Sequence, residues 1–549
     1  MIEAKTYHFP LTTNSPRFTS NGPRSHQQRV CGETLAFCES NPITLLEHHD
    51  DGNAPNRNKA YQFKLEIQTS GLTYHTQRAA LDLGTLLHED PYKYSQISTE
   101  SAAETQSRAR PLKSSIMSTQ IVRPARTLQG SLTLPGDKSI SHRYAMLAGL
   151  AQGTSRLANF STGADPHSTL ACMAALGAEV DKSDPKFVSV TGTAGHWQPG
   201  DFTLDCGNSG STMRMIAGIV APHPGAYTLI GDHSLTPRPM ERIRKPLSQM
   251  GADIHLTDGH APITIHGKPL NAIDFTTPIP SAQVKTAILF AGLQAEGTTT
   301  IAEAIRTRDH SEHALRAFGA TLTRSRTGLL EHLAIPGRQK LTAIDATVPG
   351  DLSSAAFFLC ATLLFPDSNL VLDSIGLNPT RSALLDVITA LGGKINVLNV
   401  EEQHGELIGT IQVNRAPGPL KGIEISGALT AQLIDELPVI AAIAPYTGQG
   451  IRIRDAAELR VKESDRIALV AKNLSAMGAS FTEFEDGLDI PGNQYLHGAK
   501  IDSGSDHRIA MAFAIAALRA TGETEIDGAE AAAISFPEFF THLSALCPS

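Results

Sequence analysis

Leu176-Gly177-Ala178 closes one amphipathic helix pattern and opens a strand-like run. The same junction returns as Met250-Gly251-Ala252, Phe318-Gly319-Ala320, Leu391-Gly392-Gly393 and Met477-Gly478-Ala479. In each copy a bulky apolar residue ends the helix and a glycine follows. Glycine enters the left-handed conformation beyond a helix C-terminus without a Cβ penalty. The copies stand about 70 residues apart, too long for a solenoid repeat and suited to a small α/β module. A sixth copy is expected to end near Phe539 to Leu546, where the pattern is again helical. Six modules make two domains of three. A second echo supports that split: Leu134-Pro135-Gly136-Asp137-Lys138-Ser139 returns as Val348-Pro349-Gly350-Asp351-Leu352-Ser353. The repeat does not by itself give the topology inside a module.

With 549 residues, 41% hydrophobic and 18% charged, the chain has ample material for two or more cores. Aromatics are only 5% while glycine and alanine abound, so the cores are expected to rest on aliphatic side chains and close backbone approach. A net charge of −9 and a pI near 6.2 argue against nucleic-acid and anionic-membrane partners, but not against a local basic pocket for small anions. Six cysteines without a CxxC pair suggest neither a disulfide framework nor a zinc site. The apolar run around Ala355 to Phe365 is too short to span a bilayer, and no signal peptide opens the chain, so a cytoplasmic protein is expected. Residues 1–116 are rich in Ser, Thr, Asn, His and Gln and lack periodicity, which reads as a disordered leader. Recurring acids such as Glu47, Asp50 and Asp51 disfavour a transit peptide; a mis-assigned start, with translation beginning at Met117, is the other reading.

Six polar clusters punctuate the modules. In Pro135 to Arg143, Asp137 is placed to cap a helix whose first turn holds Lys138 and Ser139, with Arg143 on the face of Ser139. A helix start with those groups suits an anion, and the stretch is not a Walker A loop. Asp205 to Arg214 contains the Gly207-Asn208-Ser209-Gly210 loop, whose backbone N–H groups with Arg214 could cradle a phosphate; a plain turn reads equally well. Arg238 stands between two prolines, stiff enough for bidentate recognition, although an ordinary loop arginine is the better reading in isolation. Ser281-Ala282-Gln283-Val284-Lys285 opens another helix, and Thr307-Arg308-Asp309-His310 follows. His310 and His313 have metal-like spacing but no evident third ligand, so solvated loop histidines are expected. Glu458, Lys462 and Arg466 would share one stripe of a helix, which alone reads as a solvated salt-bridged face. Asp506 caps a last apolar helix with Arg508 in its first turn.

Taken together the clusters outweigh their separate readings. An acidic chain has placed Lys138, Arg143, Arg214, Arg238, Lys285, Arg308, Lys462, Arg466 and Arg508 at helix starts and glycine loops, where the helix dipole disfavours cations. Strongly anionic small ligands would account for all of them. Asp435 and Glu463 are the candidate acid–base groups.

In this order, LPGDKSISHR, GNSGSTMR, LTPRPM, SAQVK, TRDH, ELRVKESDR, DHRIAM and SFPEF resemble the EPSP synthase (3-phosphoshikimate 1-carboxyvinyltransferase) family, most of all its class II bacterial forms. The resemblance runs from about Met117 to Leu546. It implies a two-domain inside-out α/β barrel with three βαβαββ units per domain, one domain over 138–350 and the other combining 117–137 with 351–549. It implies transfer of the enolpyruvyl group of phosphoenolpyruvate to the 5-hydroxyl of shikimate 3-phosphate. Shikimate 3-phosphate would meet Lys138, Ser139, Arg143, Ser281, Ala282, Gln283, Arg308, Asp435 and Lys462. Phosphoenolpyruvate would meet Lys138, Gly210, Arg238, Gln283, Arg466 and Arg508. Asp435 would be the base, Lys462 and Glu463 would handle protons, and Lys138 counts with them as catalytic. No metal or organic cofactor is implied, and a monomer acting on small molecules is expected.

The chain departs from the family pattern at Ile534, where some members carry a lysine, and at Glu458, where some carry asparagine. Gly210 matches the glyphosate-sensitive forms, so this inhibitor is expected to act. The rival readings are the sister transferase acting on a UDP-amino sugar and a non-catalytic anion-binding protein on the same fold.

Overall fold

The computed structural model describes residues 119–547 and, ahead of them, four short strands: Ala4–Lys5, Thr44–Leu46, Lys64–Thr69 and Leu72–Thr76. These four pair antiparallel in sequence order. The rest of the expected leader lies outside the described residues. Contacts divide the chain between Ser114 and Ser115.

In the second unit the described strands form six sheets, one per module. The module that starts at Asp201 shows the pattern. Asp201–Asp205 runs parallel to Gly225–Ile230, with the helix Gly210–Val220 between them in sequence. The helix Glu241–Gln249 then leads to the hairpin Asp253–Thr257 and His260–Gly267, whose second strand pairs with Gly225–Ile230. This is a βαβαββ unit. The modules that start at Asp274 and Ile423 repeat its strand order. Three modules borrow a strand from elsewhere in the chain. Thr154–Ala158 pairs with Asp345–Thr347, and Asn369–Gly376 pairs with Gln129–Thr133. The last sheet has three strands, Lys500–Asp502, Thr524–Asp527 and Gln120–Val122. The helix expected at the end of the sixth copy is present as Phe539–Leu546.

All five junction glycines have positive φ, between 84° and 115° (Gly177, Gly251, Gly319, Gly392 and Gly478). Each turns the chain out of a helix in the way a side chain would resist. The central helices are buried nearly all round: every residue of Leu352–Leu364 is buried, as is every residue of His507–Ala517. Helices therefore fill the interior and sheets form the outer walls. Small residues allow it. A Cβ on Gly218 would lie 2.1 Å from the Ala287 carbonyl oxygen, so the helices Gly210–Val220 and Ala282–Gly292 touch backbone to backbone. Among the described residues no helix is long and apolar enough to cross a membrane.

The buried apolar residues fall into two clusters. One runs from Ile140 to Val348; the other joins Val122 to Leu134 with Leu352 to Leu546. The chain passes between them twice, at Gly136-Asp137 and Gly350-Asp351, and the two passages lie side by side. Asp137 N donates to Pro349 O at 2.7 Å, and Asp351 N donates to Pro135 O at 3.0 Å. Each aspartate also caps the helix that follows, Asp137 accepting from Ile140 N and Asp351 from Ser353 N.

Candidate active site

The ends of the central helices meet between the two cores, and the polar clusters gather there. Lys138 starts the helix Lys138–Leu150, and its Nζ is 3.1 Å from Asp165 Oδ2. Burial pushes the Asp165 carboxyl up in pKa while Lys138 opposes the shift. Ser209 caps the helix Gly210–Val220 by accepting from Thr212 N, which puts Gly210 at its first turn. A Cβ on Gly210 would stand 2.8 Å from Arg214 Nη1 and 3.5 Å from Arg238 Nη1. Arg238 donates to Asn208 Oδ1 at 3.0 Å and is 3.3 Å from Glu463 Oε1, a residue of the opposite half.

Glu463 and Arg466 flank the start of the helix Arg466–Ala476, which Asp465 caps. Arg466 is 1% exposed; it pairs with Glu463 at 2.6 Å and Asp506 at 2.8 Å, and lies 3.8 Å from Asp435. Burial would lift the Glu463 carboxyl, but Arg466 and Arg238 hold it well below the ordinary carboxylate range. Lys462, half-buried, makes no ion pair within 4 Å among the described residues. Burial lowers its ammonium pKa against the pull of Asp435.

Asp435 pairs with Arg308, a residue of the other half, at 2.5 Å. Burial works to raise its pKa, and the nearby Arg308, Arg508, Lys462 and Arg381 overcome it, keeping Asp435 ionised. Arg508, in the first turn of the helix His507–Ala517, donates to the Asp435 carbonyl at 2.6 Å and to Ser353 Oγ at 3.1 Å. Gln283 ties two further elements together: Nε2 donates to Ser211 Oγ at 2.9 Å, and Oε1 accepts from Arg214 at 2.8 Å. Ser281 and Ala282 open the same helix, with Ser281 as its cap. Ser139 lends its carbonyl to Arg143, whose guanidinium also reaches Ser311 and Thr286.

Several expectations need correction. Lys285 is wholly buried between Glu303 at 3.0 Å and Glu312 at 2.9 Å, so its charge is spent inside one half. Arg214 is buried too, and burial brings its pKa down to about 9; its guanidinium orients Gln283. Glu458, Lys462 and Arg466 do not form a stripe. Ala457–Val461 is a 3-10 turn, Lys462 leaves the helical conformation (φ −83°, ψ −147°), and a new helix begins at Arg466. Glu458 instead takes Arg242 of the other half at 3.2 Å. His310 and His313 belong to the helix His310–Ala317 and not to a loop, and His310 is buried while His313 is partly exposed. His310 is 2% exposed with Nδ1 2.7 Å from Glu406, and His313 leans on Asp309.

Buried polar atoms without a hydrogen-bond partner among the described residues recur in this region: Asp165 Oδ1, Arg466 Nη1, and both ring nitrogens of His507. Such atoms are costly unless a ligand or water meets them.

The family model for EPSP synthase (3-phosphoshikimate 1-carboxyvinyltransferase) matches residues 122–543. The chain belongs to the EPSP synthase family. Proteins named 3-phosphoshikimate 1-carboxyvinyltransferase from Koribacter versatilis and Solibacter usitatus are 60% and 53% identical to it. Each alignment covers 77% of this chain and 98% of the relative. The solved EPSP synthase from Acinetobacter baumannii superposes with a TM-score of 0.68 at 36% identity, over 78% of this chain and 98% of that one. The enolpyruvyl transferase NikO from Streptomyces tendae shares the fold, with a TM-score of 0.63 at 19% identity.

Within this EPSP synthase family site, sequence reading passed over Asp165, Arg242, Arg381 and Glu436. Arg242 and Arg381 carry the signal used for the others, a cation at a helix start: Arg242 lies in the first turn of Glu241–Gln249, and Arg381 just precedes Ala383–Leu391. Asp165 and Glu436 carry no such mark, because their partners Lys138 and Arg381 are distant in sequence.

Proposed function

We propose that this chain joins the enolpyruvyl group of phosphoenolpyruvate to the 5-hydroxyl of shikimate 3-phosphate at the cleft between the two cores. One observation carries the assignment of residues: Lys138, Arg238, Arg308, Arg466 and Arg508 come from distant helix starts and loops and stand around two carboxylates, Asp435 and Glu463. So much convergent positive charge suits two polyanions bound side by side.

Shikimate 3-phosphate is assigned to Lys138, Ser139, Arg143, Ser281, Ala282, Gln283, Arg308, Asp435 and Lys462. Phosphoenolpyruvate is assigned to Lys138, Gly210, Arg238, Gln283, Arg466 and Arg508. Asp435 takes the 5-hydroxyl proton as that oxygen adds to C2, and C3 gains a proton from the side of Lys462 and Glu463. The tetrahedral adduct then breaks its C2–O bond to phosphate and loses a C3 proton, restoring the double bond. A carboxylate paired with Arg308 is a weak base. An incoming phosphate that draws Arg308 away would strengthen Asp435 at the moment it is needed. Lys462, its pKa lowered by burial and free of a direct ion pair, is suited to give up a proton.

The two buried clusters and the paired crossings support a division into 138–350 and 117–137 with 351–549. The same reading takes the chain as a cytoplasmic monomer inhibited by glyphosate, since Gly210 leaves room beside Arg214 and Arg238. The position of the family lysine is filled by the half-buried Ile534, so the cations left for phosphoenolpyruvate are Lys138, Arg238, Arg466 and Arg508. Phosphate release is the test. It is expected with shikimate 3-phosphate as acceptor and not with a UDP-amino sugar; release only with the latter, or with neither, overturns the reading.

A further inference from the structure

Asn378-Pro379-Thr380-Arg381 follows the strand Asn369–Gly376 and belongs to none of the motifs used above. It lies in the half that carries Asp435 and Arg508, yet it grips the neighbours of both members of the Arg308–Asp435 pair. Asn378 is 2% exposed. Its amide donates to Asp309 Oδ1 at 2.8 Å and to Glu406 Oε2 at 2.9 Å, while its Oδ1 accepts from the Thr380 N–H at 2.8 Å. The Thr380 hydroxyl accepts from Asp309 N at 3.3 Å and stands 2.7 Å from Asn378 Oδ1. Asp309 directly follows Arg308 in the chain.

The other end of the loop holds the opposite side. Arg381, 5% exposed, donates through Nη2 to Ser353 Oγ at 2.6 Å and lies 3.3 Å from Glu436 Oε1. The Ser353 hydroxyl donates to Glu436 and accepts from Arg508 at 3.1 Å. Glu436 directly follows Asp435. Pro379 fixes φ between Asn378 and Thr380, which stiffens the first grip, and Arg381 follows Thr380 directly in the chain. A buried amide that satisfies two carboxylates of different elements is also expensive to displace.

We propose that Asn378–Arg381 is a positioning element: Asn378 and Thr380 set Arg308 through Asp309, while Arg381 sets Asp435 and Arg508 through Glu436 and Ser353. The loop thereby fixes the spacing of the two sides of the substrate site. The inference rests on the reading of Arg308, Asp435 and Arg508 as substrate groups.

Double-mutant cycles on the full chain test it. Thr380→Val keeps shape and removes the hydroxyl, and a melting curve checks that the fold is retained. Calorimetric affinity for shikimate 3-phosphate is expected to fall about tenfold in the parent and less than about twofold in an Arg308→Lys background. Thr380→Ser, which retains the hydroxyl, is expected to bind as the parent does. Asn378→Ser is the second variant and is expected to weaken binding in the same direction. Arg381→Lys keeps the charge but loses the fork; kcat is expected to fall about tenfold, with little change in an Arg508→Lys background. Equal losses in both backgrounds, or unchanged affinity in both Thr380→Val and Asn378→Ser, overturn the loop's role. A parent chain that neither binds shikimate 3-phosphate nor turns over would instead overturn the functional reading on which the loop depends.

Discussion

The two passages between the cores have nearly the same sequence and the same local geometry, but different neighbours. At one, Asp137 caps a helix whose first residue is Lys138, turned to Asp165 and the cleft. At the other, Asp351 caps a helix whose first residue is Leu352, 3% exposed in the core. The turn, the cap and the paired backbone are shared; only the first side chain decides between chemistry and packing. Asp435 and Glu436 repeat the contrast within two adjacent residues, the first meeting Arg308 of the other half and the second buried against Ser353 and Arg381.

The contrast can be broken most severely at the acid pair. Asp435→Asn is expected to cost turnover roughly a hundred- to ten-thousand-fold with the fold intact, the scale of a lost general base. Undiminished turnover in a steady-state assay would rule Asp435 out. At the passages, Lys138→Met is expected to lower kcat/KM on the order of a hundred- to a thousand-fold with little change in melting temperature. Leu352→Ala should do the reverse, destabilising by about 2–5 kcal/mol in a denaturant titration while the folded fraction stays active. Similar losses of activity from both would erase the distinction. Gly210→Ala sharpens the picture of the cleft. Its Cβ would press on Arg214 and Arg238, so KM for phosphoenolpyruvate is expected to rise about tenfold and inhibition by glyphosate to weaken.

Two smaller effects are read through pH. The lowered pKa of Lys462 places an alkaline limb of the kcat profile below the ordinary lysine value near 10.5, and Lys462→Arg should shift that limb upward. The smallest effect belongs to the interior. The His313 pKa is raised by its bond to Asp309, so the pair's contribution, below about 1 kcal/mol, is complete below the unfolded histidine value near 6.5. It is lost as pH climbs through the raised value. His313→Gln should therefore lower stability at and below the histidine range and converge on the parent as pH climbs through the raised value; a difference that does not change with pH would contradict the assignment.

Much of the fold was legible because its signals are local. A glycine after a bulky apolar residue marks a helix end whatever surrounds it, and five such glycines gave the module count. The strand order within a module was not legible, since pairing joins residues far apart in sequence, as when Asp345–Thr347 completes the sheet of Thr154–Ala158. The site divides along the same line. Asp137 and Asp506 were readable as caps because a cap is satisfied by its own helix, whereas the caps at Ser209 and Ser281 came only with the structure. Whether a cation at a helix start faces the cleft or the interior depends on distant acids. Lys285 misled for that reason: Glu303 and Glu312 take up its charge, and nothing near it in sequence announces them. Lys462 misled differently, because a helical period was assumed across a segment that breaks into a 3-10 turn and a fresh helix.

The adjoining passages at Gly136 and Gly350 bring the two ends of residues 138–350 together through backbone hydrogen bonds. Splicing that stretch out and linking residue 137 to 351 would bridge almost no distance and require no spacer. Its own Asp345–Thr347 strand leaves with it to close its first sheet, and the remainder retains Gln129–Thr133 for the same purpose. Each piece thus keeps three complete sheets of its own.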